Sequence, residues 1–206
     1  MVRPPHFRSV ALAFPMILAI GSPSGDRPGI EFHALPGRQE PVVPADARVI
    51  AEFTQRVEAY VELHKKLEAT LPKLPKEATP EQIVANQRAL AELIRTARAA
   101  AKQGDVFTPA MTAYMKALLK RVFSRPEGRQ LRASIMDEYP GRITLQANGR
   151  YPDTVPIASM PPDVLAALPK LPEEIEYRFV GDQFILLDPH AHIIVDFIPG
   201  ALPSAG

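Results

Sequence analysis

The sequence predicts a mainly helical α+β chain, an N-terminal antiparallel bundle of about four helices followed by a small C-terminal antiparallel three-stranded β-meander. Three observations predict it. Apolar residues from Ile50 to Leu71 recur at alternating spacings of three and four, the period of a helix packed lengthwise on a neighbour. Thr79-Pro80 and Thr108-Pro109 pair a capping hydroxyl with a proline suited to the first helical position. After Ile175 the period falls to two, and Gly181-Asp182 separates apolar runs as a hairpin turn.

Met1 to Arg8 carries Arg3 and Arg8 and no acid, Val10 to Ile20 is an 11-residue apolar run, and Gly21-Ser22-Pro23-Ser24-Gly25 comes next. A basic start, a short apolar core and small residues are the parts of a secretory signal peptide. The run falls short of the about 20 residues a helix needs to cross a bilayer. Residues 1–21 are read as a signal peptide cleaved near Gly21, with a retained anchor as the alternative. The remaining 185 residues hold 22 basic and 23 acidic side chains, and no second apolar run is long enough to span a membrane. A periplasmic or secreted location is the resulting expectation, and a chain without Cys suits an oxidising compartment.

Residues 22–44 are rich in Pro, Gly and polar side chains and read as a flexible linker. The bundle is placed at 45–139. Its first helix starts after Pro44 and carries the seam Ile50, Phe53, Val57, Tyr60, His64, Leu67 and Leu71, ended by Pro72 and Pro75. In the second, Thr79 and Gln82 form a capping box ahead of the seam Ile83, Gln87, Leu90, Ile94, Ala97 and Ala101, with Gly104 as the stop. The third helix starts after Thr108-Pro109 and turns Met111, Met115, Leu118, Leu119 and Val122 inward. A shorter fourth, from about Glu127 to Tyr139, presents Leu131, Ile135 and Met136 before Pro140-Gly141.

Residues 140–174 form a Pro-rich connection. Within it Arg142-Ile143-Thr144-Leu145 reads as a short strand before an Asn148-Gly149 turn, and Asp163 to Leu168 as one or two helical turns. The meander occupies 175–198, docked on the helices, and 199–206 is a tail. Phe184 to Leu187 is apolar on both faces, as in a central strand. One face of the sheet can pack on the helices; the other needs the Pro-rich segment, a second copy or a partner.

Four stretches, LPKLP (168–172), EYRFVG (176–181), FILLD (184–188) and IIVDFI (193–198), carry a resemblance. They resemble the C-terminal part of a family of uncharacterised exported bacterial proteins. More loosely, the strand with Tyr177, the Val180-Gly181-Asp182 turn and the next strand look like the C-terminal strands of the RcnB family, periplasmic proteins of nickel and cobalt homeostasis. The resemblance implies export and a β-meander.

Composition narrows the chemistry. Zero Cys excludes disulfides, thiolate metal sites and a cysteine nucleophile, and a net charge of +1 gives no field that draws nucleic acid. No phosphate loop, dinucleotide fingerprint, His-Glu-x-x-His or Gly-x-Ser-x-Gly motif is present, and no catalytic residue is named, which leans the chain away from an enzyme. The sharpest constellation is Asp188-Pro189-His190-Ala191-His192. His190 and His192 share a face if the chain is extended, and with Asp188 they offer a donor set for Ni, Co, Cu or Zn. Pro189 works against that parity, and a solvated turn is the plainer reading.

On the first seam His64 is expected to be a core histidine with one hydrogen bond rather than a ligand. Met111, Met115, Met136 and Met160 read as core filler, and Glu173, Glu174 and Glu176 as charges at a strand edge. The leading functional reading is a non-enzymatic binding or protein-interaction module without a cofactor, engaging a protein partner or a second copy, with Tyr177, Arg178, Phe184 and Phe197 as contact candidates. The alternative is periplasmic metal binding through His190 and His192, with Asp188 or Asp196 as the third ligand.

Overall fold

The structure, a computed structural model, describes residues 44–138, 144–155 and 160–202. The expected signal peptide and all of the linker but Pro44 lie outside the described residues. Four helices precede the sheet: α1 (Ala45–Glu68), α2 (Pro80–Ala97), α3 (Pro109–Phe123) and α4 (Pro126–Glu138). Strand β1 (Gly149–Arg150) and a short α5 (Pro162–Ala167) lead to β2 (Glu176–Val180), β3 (Gln183–Asp188) and β4 (Ile193–Ile198). The chain is α+β and mainly helical, as the periodicities imply.

The seam of α1 buries Phe53, Val57, Tyr60, Val61 and His64. At the start of α2 both halves of the capping box are made, with Gln82 N donating to Thr79 Oγ1 and Thr79 N to Gln82 Oε1. Only Leu90, Ala91 and Ile94 of α2 are buried, and Ile83 stands exposed, against the expected seam. The helix also stops at Ala97 rather than near Gly104. Arg98 leaves the helical region to place its guanidinium 5.0 Å over the Tyr60 ring and donate to Val195 O.

Among the described residues the sheet has four strands, not three, in the order β1-β4-β3-β2, with every pairing antiparallel. The extra strand is Gly149–Arg150, downstream of the predicted one; Thr144 to Gln146 form no strand, and 142–143 lie outside the described residues. Asn148 explains the docking of β1. Held at φ 62°, it donates to Arg95 O and Arg98 O at the open end of α2, while its own N–H pairs with Ile194 O. The β2–β3 hairpin turns at Gly181, whose φ of 59° is the one the sequence requires there.

One face of the sheet packs on the helices through Tyr177, Phe179, Phe184, Leu186, Ile193 and Ile198. The Phe184 ring lies 5.1 Å from Tyr177 and 5.9 Å from Phe107, which stacks on Phe53. Tyr177 and Phe184 are therefore core residues, buried away from the partner contact expected of them. Of the remaining pair, Arg178 is half-buried and ion-paired with Glu176, and Phe197 is half-buried against the second core.

That second core covers the opposite face of the sheet, where Leu145, Tyr151 and Val155 pack on Val180, Ile185, Leu187 and Ile194. The Pro-rich connection thus supplies the cover that a partner was otherwise needed to give. Beyond β4 the tail is not loose at its start. Ala201 and Leu202 are buried and donate to Asp182 O.

A β-bulge decides where the sheet's carboxylates go. Leu186 pairs with Asp196 and Leu187 with Ile194, so Val195 has no partner across the ladder. The extra residue re-aims the side chains next to it. Asp196 turns toward the helices, and the freed Val195 carbonyl accepts from Arg98. Asp196 then receives the N–H groups of Gly104 (3.0 Å), Val106 (2.8 Å) and Phe107 (2.7 Å), tying down the loop before α3. Gly104 reaches it at φ 90°, a conformation other residues resist.

Candidate metal centre

Along β3 the side chains alternate, so Leu186 and Asp188 face the helices and Leu187 faces the second core. Asp188 ends the strand directly opposite the far turns of α1. On that helix Tyr60, His64 and Glu68 are spaced four apart and fall on one face. The strand end and the helix face together make a polar cluster at the edge of the main core.

Asp188 is fully buried and fully engaged. Its Oδ2 accepts from Tyr60 Oη at 2.6 Å and lies 2.6 Å from His64 Nδ1, and its Oδ1 accepts from Ala191 N at 2.8 Å. A carboxylate oxygen accepts only, so the His64 proton in that bond sits on Nδ1. His64 is also fully buried, and its Nε2 has no hydrogen-bond partner among the described residues. Glu68 Oε2 stands 3.5 Å from it, and His190 Nδ1 stands 3.4 Å from Glu68 Oε1. The two imidazole rings are 5.5 Å apart. One donor atom from each of His64, Glu68 and His190 falls within 4.8 Å of the others.

These separations suit an ion better than a hydrogen bond. Bonds between N–H and oxygen close to about 2.7–3.2 Å. Donors on a tetrahedral ion at about 2.0–2.2 Å stand roughly 3.3–3.6 Å from each other. Both Glu68 distances lie in the second range, Oε2 facing His64 and Oε1 facing His190, so the carboxylate stands between the two rings.

The electrostatics around His64 reinforce its orientation. Burial works against a charged imidazole, but the hydrogen bond to Asp188 and the charges of Asp188, Glu68 and Glu174 outweigh it, so the pKa of His64 is raised. Tyr60 keeps its proton firmly because burial, then the charge and hydrogen bond of Asp188, push its pKa well up. A carboxylate that fixes one nitrogen of an imidazole and leaves the other turned outward is the usual support for a metal-bound histidine.

Of the residues singled out from sequence, His190 is in the cluster. Asp188 is beside it, as the group that orients His64 rather than as a donor. His192 is not: its φ of 55° breaks the extended parity that made it a neighbour of His190. Its ring lies edge-on to Tyr151 at 5.3 Å, on the second core, with Nε2 3.7 Å from Asp153. His64 has the expected core position with one hydrogen bond, yet its second nitrogen faces Glu68 and His190. Glu68 escaped the sequence reading, although its four-residue spacing from His64 on a helix was a signal available there. No protein-family model, curated protein or solved structure matches the chain, so the resemblance of 160–198 rests on its own residues.

Proposed function

We propose that the protein binds one divalent transition-metal ion through His64, Glu68 and His190. The observation that carries this reading is the buried His64 ring, fixed at Nδ1 by Asp188 and presenting Nε2 beside Glu68. Two imidazoles and a carboxylate suit Zn, Co, Ni or Cu, and three protein donors leave at least one position for an outside ligand. The interaction-module reading loses its motive, because the sheet's second face is covered by the chain itself. Export remains part of the proposal and is supported by the pattern of residues 1–21.

Thermal melting in EDTA and then with each metal tests the reading. A ligand at a hundred times its Kd adds about 2.7 kcal/mol to the native state, which raises Tm by roughly 5–11 °C at this chain length. The rise is expected for at least one of the four metals and is at least about halved in His190→Ala. Flat curves for all four, or an equal rise in the variant, contradict it.

A further inference from the structure

The cluster of His64, Glu68 and His190 is not closed off. His190 has a side chain 54% exposed, and Glu68 is a wall of both the metal cluster and an open groove of about 530 Å³. That groove runs between the end of α1 and α2. Leu71, Pro72 and Leu74 form its apolar wall, and Lys65 and Lys73 its cationic one. Asn86 ties the two sides by donating to Pro72 O. Lys65 is already paired with Glu174 at 2.9 Å, whereas Lys73 makes no ion pair among the described residues.

We infer that the groove holds a small carboxylate ligand whose head completes the metal's coordination and whose apolar body lies on Leu71, Pro72 and Leu74. The inference rests on the metal reading above and deepens it. Glu68, the acid lining the groove, is neutralised when it serves the ion, and the groove then presents the metal and Lys73 to an anion. Leu74 is 42% exposed, so its side chain offers surface that a ligand can cover without disturbing the core.

The test is calorimetry of zinc-loaded full-length protein with two probes, acetate and octanoate. Octanoate is expected to bind at least about tenfold tighter than acetate, because its chain buries methylenes that acetate lacks. Leu74→Ser removes that preference and leaves acetate unchanged; Lys73→Ala weakens both. Octanoate no tighter than acetate, or equally tight on zinc-free protein, overturns the inference while the metal site stands. Failure to take up zinc, or cobalt, nickel or copper in its place, overturns both.

Discussion

Asp188 Oδ2 and His64 Nδ1 lie 2.6 Å apart with both side chains fully buried, so the last residue of β3 fixes the ring of a residue in α1. The contact spans 124 residues of sequence and holds the sheet to the helices beside the proposed metal donors. Each consequence of that arrangement can be measured.

Ligand substitutions separate the two histidines of the His190-Ala191-His192 stretch. His64→Ala, Glu68→Ala and His190→Ala are each expected to weaken metal binding by more than about tenfold, since each removes a donor. His192→Asn keeps full affinity, because that ring lies against Tyr151 and asparagine tolerates its positive φ. Loss of binding in His192→Asn contradicts the assignment.

Replacing the orienting group affects stability and affinity together. Asp188→Asn leaves His64 and Tyr60 without their shared charged acceptor, at a cost of about 3 kcal/mol for breaking a buried charge interaction. Metal affinity falls about 10–100-fold, the range for loss of a carboxylate behind a metal-bound histidine. Urea titration reads the first effect and competition with a chelator the second.

Acidity acts in opposite directions on the empty and the loaded protein. The folded-state pKa of His64 is raised above its ordinary 6.5, so its contribution to stability is full below that value. It is lost as pH rises through the raised folded value. A metal competes with the same proton, so affinity climbs over this window and binding releases protons. Calorimetry in two buffers of different ionisation enthalpy checks the release, and pH-independent affinity contradicts it.

Asp196 offers a test of the fold that leaves the metal alone. Asp196→Ala strips the acceptor from the N–H groups of Gly104, Val106 and Phe107. Val106 and Phe107 are buried, and at about 1–3 kcal/mol for each buried group left unpaired the total is at least about 2 kcal/mol, or a Tm lower by roughly 4–8 °C. A shift under roughly 2 °C, the size of an ordinary surface effect, contradicts the account.

Much of the fold was legible because local rules and tertiary packing agreed. The seam of α1, the Thr79–Gln82 box and the Gly181 turn each come from spacing or from one backbone requirement. The end of α2 was not legible, since Arg98 leaves the helix for the distant Val195 carbonyl and Tyr60 ring. Neither was the inward turn of Asp196, which depends on a bulge that alternation does not signal. Two of the three candidate donors, His64 and Glu68, share a four-residue spacing on α1, and the third joins them only across the fold. His190 drew notice as part of a His-x-His stretch, whereas its true neighbours, His64 and Glu68, come from α1.

X-ray absorption on the zinc-loaded protein tests the central claim most directly. One zinc per chain is predicted, with two imidazole nitrogens and a carboxylate oxygen among its nearest atoms, and one imidazole fewer in His64→Ala. A protein that retains none of zinc, cobalt, nickel and copper after dialysis, or a shell of oxygen atoms alone around the retained ion, contradicts the account.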